Sequence, residues 1–194
     1  MAFKTLQNFE DIYITSDLHL SHRLNRTIRD RNFTDPEEHT KFIRNLINST
    51  IKNKNAILYV VGDVGYKDEP DSLIEFLKSI TPRVKVAIGN HDSAKQLNKI
   101  WRMGLLADCK HDYKIRWNNN LFHINHLPLL EWEGYYLDGY HCFGHTHGNM
   151  KPYHRAMDIG LDANDMKILN LSDVVAMRQN FHNIDENRNS IKLF

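Results

Sequence analysis

Short apolar runs rich in branched and aromatic residues recur at Ile12 to Thr15, Ala56 to Val61, Val84 to Ile88, Leu121 to Ile124 and Tyr140 to Phe143. Each closes on polar or glycine residues, the pattern of buried strands. Between the early runs the apolar spacing turns helical. Pro36-Glu37-Glu38 opens one helix, with Asp35 as its N-cap and Phe42, Ile43, Leu46 and Ile47 as its apolar stripe. Asp71 to Ile80 and Ser93 to Met103 predict two more, and Ser172 is placed as the cap of a last helix running through Asn180. From about Asp112 to Leu161 strands dominate, and a terminal strand is expected at Ser190 to Leu193. Alternating β and α followed by strands predicts an α/β layered domain with mixed sheets. With no repeat, low-complexity tract or linker, the whole chain, 1–194, reads as one domain.

Composition narrows the function more than the fold. Hydrophobic residues make up 41% of the 194, and 25 Lys plus Arg against 24 Asp plus Glu leave a net charge of +1. That balance provides no field to draw the chain onto nucleic acid or an anionic membrane. No stretch approaches the roughly 18 apolar residues that span a bilayer, and the N-terminus lacks a signal-type apolar segment, so a cytoplasmic location is expected. Cys109 and Cys142 lie far apart and form no CxxC, and are read as ordinary reduced thiols. Histidine is the outlier, with 12 copies.

Their placement is informative. The strands are followed by Ser16-Asp17-Leu18-His19, Gly62-Asp63-Val64-Gly65, Gly89-Asn90-His91-Asp92, Asn125-His126-Leu127-Pro128 and Gly144-His145-Thr146-His147-Gly148. In α/β sheets ligands gather at the carboxyl ends of strands, so the five stretches can converge on one site. If the backbone stays extended, Asp17 and His19 point to one side, as do His145 and His147. Asp17, His19, Asp63, Asn90, His126, His145 and His147 offer oxygen and imidazole donors but no thiolate. That mixture suits Mn, Fe, Zn, Co or Ni better than calcium. Seven donors exceed one tetrahedral ion and fit two ions sharing a carboxylate. The flanking glycines allow sharp turns and close approach of backbone.

Together the motifs D-x-H, G-D, G-N-H-[DE], a lone His and G-H-x-H, spanning residues 17 to 147, resemble the calcineurin-like metallophosphoesterase superfamily. The segments SDLHLSH, HLPLLEW and MDIGLD further resemble its small bacterial and phage-type phosphoesterases. The resemblance implies an α/β fold, a four-layer α-β-β-α sandwich with two mixed sheets. It implies that Asp17, His19 and His147 hold one divalent ion, that Asn90, His126 and His145 hold the other, and that Asp63 bridges them. His91 matches the catalytic histidine and Asp92 the acid that orients it. Two departures stand out. Asp158 occupies a position often held by Asn, and Val64-Gly65-Tyr66 stands where protein phosphatases carry D-R-G, which disfavours a protein phosphatase.

The expected activity is hydrolysis of a phosphomonoester or small, nucleotide-like phosphodiester by attack of a metal-bridging hydroxide. Manganese is the first expectation for both ions, with zinc, iron, nickel, cobalt and magnesium as alternatives. His22 is a candidate substrate contact; Tyr66, His154 and Arg155 rank behind it, and His39, His123, His141 and His182 read as surface or core-polar residues. The partner expected is a small phosphate ester, with no membrane, with nucleic acid disfavoured and with a homo-oligomer compatible. The competing readings are a catalytically silent interaction module on the same fold and a nuclease of the superfamily. The intact Gly89-Asn90-His91-Asp92 opposes the first, and the neutral charge opposes the second.

Overall fold

The computed structural model describes residues 4–5 and 11–183. The strand expected at Ser190 to Leu193 lies outside them. In chain order the elements are β1 (Lys4–Thr5), β2 (Ile12–Thr15), α1 (Arg26–Asp30), α2 (Pro36–Thr50), β3 (Ile57–Val61), α3 (Pro70–Lys78), β4 (Arg83–Ala87), α4 (Ala94–Arg102), β5 (Asp108–Lys110), β6 (Asp112–Trp117), β7 (Asn120–Asn125), β8 (Tyr140–Phe143), β9 (Ala156–Asp158), β10 (Leu169–Asn170) and α5 (Leu171–Arg178).

Two mixed sheets form, ordered β10-β2-β3-β4-β5 and β1-β6-β7-β8-β9. In the first, β2 to β5 are parallel and β10 is antiparallel; in the second, only the β6–β7 pair is antiparallel. Pleat alternation assigns the faces. Ile12, Ile14, Ile57, Tyr59 and Val61 meet Ile115, Phe122, Ile124, Tyr140 and Cys142 between the sheets. Leu58, Val60, Val84 and Val86 face outward onto Ile43 and Ile47 of α2, Leu73 and Phe76 of α3, and Leu97 and Ile100 of α4. β3 is buried on both faces, which explains its unbroken apolar run.

The sandwich expected from the sequence is therefore present. The cover over the outer face of the second sheet is an irregular segment with a 3-10 turn at Tyr135–Leu137, which packs Trp132 and Tyr135 on Phe143. Helix starts follow local chemistry: Asp35 accepts from the Glu37 N–H, and Ser93 accepts from the Gln96 N–H. The cap expected at Ser172 is corrected. Asn170 and Asp173 form a reciprocal capping box there, and Ser172 lies inside the helix. Both cysteines are free and buried, and burial pushes their thiols up to about 11 for Cys109 and about 12 for Cys142. Among the described residues no helix is long and apolar enough to cross a membrane.

Candidate metal centre

All five polar stretches meet at the carboxyl ends of β2, β3, β4, β7 and β8. The first two run side by side beyond their strands: the Asp17 N–H donates to the Gly62 carbonyl at 3.1 Å, His19 to Asp63 at 2.9 Å, and Leu20 to Val64 at 3.0 Å. The Gly144 N–H donates to the His126 carbonyl at 3.0 Å, and the His145 N–H reaches across the two sheets to Asp17 Oδ2, also at 3.0 Å.

The backbone route to this convergence differs from the expected one. Asp17 (φ 59°), His19 (φ 50°), Asp63 (φ 54°), His145 (φ 69°) and His147 (φ 48°) all occupy the left-handed region rather than extended backbone. Asp and His are enriched there among non-glycine residues, yet each still costs on the order of 1 kcal/mol. Asp17 and His19 come together because the chain coils tightly there, whereas His145 turns toward Asn90 and His147 toward Asp17 and Asp162. Glycine is required where coils touch: a Cβ on Gly144 would stand 1.8 Å from Ser16 Oγ and 2.5 Å from Asp17 Oδ2.

Inside the cluster the donor atoms point at one another without bonding. Asp17 Oδ1 lies 3.6 Å from His19 Nε2 and 3.7 Å from His147 Nε2. Asp63 Oδ2 lies 3.7 Å from His19 Nε2 and 3.5 Å from His126 Nε2, so it reaches toward both halves. Asp17 Oδ1 and His19 Nε2 are buried with no hydrogen-bond partner among the described residues. Asp17, His19 and His147, and separately Asp17, Asp63 and His126, place ligand atoms within 4.8 Å of one another. On the other side, His126 Nδ1 is committed to the Val61 carbonyl at 2.8 Å, so its Nε2 lone pair faces Asn90 Oδ1 at 2.9 Å. His145 Nδ1 faces the same oxygen at 3.0 Å. Orphaned buried atoms and opposed lone pairs are what a cation-binding shell looks like from its own side chains, and these residues fit two divalent ions.

The charges agree. Burial opposes ionisation of Asp17 and Asp63, but the facing imidazoles hold both carboxyls below their ordinary value, helped by the Ser16 hydroxyl at Asp17 and by the His91 backbone N–H at Asp63. Burial lowers His126, but Asp63 overrides it and raises the imidazole. Two carboxylates kept ionised in so small a volume demand positive charge beside them.

His91 is exposed beside the cluster, its ring 6.0 Å from that of His19, and its N–H is held by Asp63 Oδ1 at 2.9 Å. It lines a cleft of ≈ 540 Å³ together with His19, His147, Tyr66 and Arg23. Asp92, expected to orient His91, is placed against backbone. Its carboxylate accepts the N–H groups of Gly89, Asp63 and Val64 at 2.8, 3.0 and 2.9 Å, bracing two loops, and among the described residues it makes no bond to the His91 ring. His22 is not brought to the cluster either: its Nε2 meets Ser72 Oγ at 2.8 Å and Glu69 at 3.2 Å, toward α3. His154 and Arg155 instead hold the segment around Gln179 to Asn183.

Arg31 is not singled out in the sequence, and the MDIGLD segment stands there without a role for its Asp158 or Asp162. Asp158 accepts from Thr146 Oγ1 at 2.6 Å and the Gly148 N–H at 3.0 Å, supporting the turn between His145 and His147. Asp162 takes His147 Nδ1 at 2.6 Å and is held in turn by Arg31. The MDIGLD segment marks both carboxylates without saying what they touch, and an arginine in a polar loop leaves no spacing signal at all.

Residues 11–154 match the calcineurin-like phosphoesterase family, a span that includes all five stretches. The chain belongs to that family. AQ665, a protein of unknown function from Aquifex aeolicus whose crystal structure is known, shares the fold with a TM-score of 0.63 over 87% of this chain and 99% of its own, at 16% identity. No curated protein matches the chain.

Proposed function

We propose that the chain is a dinuclear metal-dependent phosphoric ester hydrolase acting on a phosphomonoester or a small, nucleotide-like phosphodiester. The observation that carries this reading is the pair of buried, partnerless atoms, Asp17 Oδ1 and His19 Nε2, inside a converging set of oxygen and imidazole donors. Asp17, His19 and His147 are assigned to one ion and Asn90, His126 and His145 to the other, with Asp63 between them. The donor set suits manganese, with iron, zinc, cobalt, nickel and magnesium as competitors. When bound, two such ions acidify coordinated water and offset charge developing on phosphoryl oxygens.

The chain's own residues do the rest. Val61 and Asp162 fix the Nδ1–H of His126 and His147, so both Nε2 lone pairs face inward. Asp92 spends its carboxylate on backbone and Asp158 divides its own between backbone and the Thr146 hydroxyl, and both brace the turns. His91, open to the cleft, hands a proton to the departing oxygen. Asp63→Ala is expected to abolish hydrolysis of an aryl phosphate together with tight metal uptake. His91→Ala is expected to lower turnover by about 100-fold or more and to keep both ions. Metal analysis beside steady-state kinetics reads both. Full activity in Asp63→Ala overturns the mechanism, and metal uptake without turnover of any mono-, di- or cyclic ester points to the silent interaction module instead.

A further inference from the structure

Arg31 lies in no motif, yet its side chain is 3% exposed and all five of its guanidinium N–H groups have partners. Nε donates to Asp162 Oδ1 at 2.7 Å and Nη2 to Asp162 Oδ2 at 2.8 Å. Nη2 also donates to the Asp17 carbonyl at 2.6 Å, and Nη1 donates to the Leu18 carbonyl at 3.2 Å and meets His39 Nε2 at 3.1 Å. One cation thus grips the left-handed turn that presents Asp17 and, through Asp162, the ring of His147. Asp162 Oδ2 takes the His147 Nδ1–H at 2.6 Å and leaves Nε2 as the inward lone pair. Every contact falls on the side assigned to Asp17, His19 and His147. Among the described residues, Arg31 and Asp162 make no hydrogen bond to the side chains of Asn90, His126 or His145.

We propose that Arg31 and Asp162 are positioning residues for one ion only: they set the tautomer of His147 and the turn at Asp17, and the second ion is held independently of them. The proposal rests on the dinuclear reading above. Removing a carboxylate that orients a ligating imidazole typically weakens metal affinity by about 10- to 100-fold. Asp162→Asn and Arg31→Met are therefore expected to lower the stoichiometry after dialysis against limiting Mn²⁺ from two ions per chain to about one, with the remaining ion bound at wild-type affinity. Asp162→Glu, which can still reach the ring, is expected to recover the second ion in part. Arg31→Lys, which cannot fork between Asp162 and two carbonyls, is not.

Ring ¹⁵N shifts of the metal-free protein supply a readout a merely structural role would not move. The wild type is expected to show His147 protonated at Nδ1, and Asp162→Asn a mixture of tautomers. Retention of both ions at wild-type affinity overturns the proposal, as does loss of both ions together. An unchanged His147 tautomer does the same. A wild-type chain that takes up no Mn²⁺ overturns the dinuclear reading and this proposal with it, a result distinct from a two-ion wild type with unaltered variants.

Discussion

Two groups of histidines sit on the same pair of adjacent strands and do opposite things. His126 and His145 follow the carboxyl ends of β7 and β8, while His123 and His141 lie within those strands, rings 5.8 Å apart, on the outer face of the second sheet. In the outer pair His141 spends both nitrogens on backbone, whereas His123 spends Nδ1 there and turns Nε2 toward Asp112 Oδ2 at 3.3 Å. His141 Nε2 accepts the Leu129 N–H and His123 Nδ1 accepts the Glu133 N–H, each at 3.1 Å, and His141 Nδ1 donates to the His123 carbonyl at 3.1 Å. They pin the irregular cover onto the sheet. In the metal cluster one nitrogen of each anchored ring is spent and the other is left facing oxygen. Between His126 and His141 the difference is how many ring nitrogens the fold has already used, not burial, since both are buried.

Gly144 joins the two groups, lying between the strand that holds His141 and the turn that presents His145, so it is where the distinction can be broken most severely. Gly144→Ala drives a methyl into Ser16 Oγ and Asp17 Oδ2, and neither can retreat, since Ser16 also donates to the Val61 carbonyl at 2.6 Å. A loss of about 3 kcal/mol in urea unfolding of the metal-free chain is expected, with loss of tight metal uptake. The outer histidines should keep their contacts. Wild-type stability would show that the strand ends are looser than their interlocked backbones indicate.

Acid should separate the groups next. Burial lowers His141 to about 4, with the backbone bonds only partly opposing it, whereas an unfolded histidine titrates near 6.5. Above 6.5 the residue is neutral in both states and contributes no pH dependence. As pH falls from 6.5 toward 4 the unfolded chain takes the proton and the folded chain refuses it, so stability is lost across that window, by up to about 3 kcal/mol. His141→Gln should flatten that part of the profile by a comparable amount in unfolding measured between pH 7 and 4, with metal stoichiometry at neutral pH unchanged. A profile identical to wild type would mean that His141 charges freely and is no scaffold. Loss of an ion would place it with the ligands.

The sequence carried the site's parts but not its geometry. Five polar stretches at five strand ends were readable because apolar runs mark strands and because Asp, Asn and His are conspicuous at their ends. The left-handed coil at Asp17, His19, Asp63, His145 and His147 was not, since a D-x-H spacing looks the same in a pleat and in a coil. The four-residue β2 showed itself through its apolar run, whereas the three-residue β5 and five-residue α1 are too short to repeat any period. Arg31 and Asp162 pair across 131 positions, and nothing local to either announces the other. Asp92 sits in the right motif for a partner of His91, but three backbone N–H groups at 2.8 to 3.0 Å claim its carboxylate, and only the fold brings those groups to it.

His22 tests the comparison at its weakest point, because it follows the D-x-H motif closely and yet belongs to neither group. Its ring packs tilted against Tyr66, centroids 4.9 Å apart, and its Nε2 meets Ser72 and Glu69, a half-exposed arrangement whose side chains are 50% and 39% open for His22 and Glu69. Exposed pairs of this kind contribute from nothing to about 1 kcal/mol. His22→Ala is therefore expected to change stability by about 0.5 kcal/mol or less, to leave both ions in place, and to alter kcat/KM for an aryl phosphate by less than about twofold. A tenfold fall in kcat/KM with metal content intact would bring His22 back to the substrate. It would mean that the ring leaves Ser72 and Glu69 when an ester binds, so that counting spent nitrogens in the free protein misjudges a histidine whose partners are exposed.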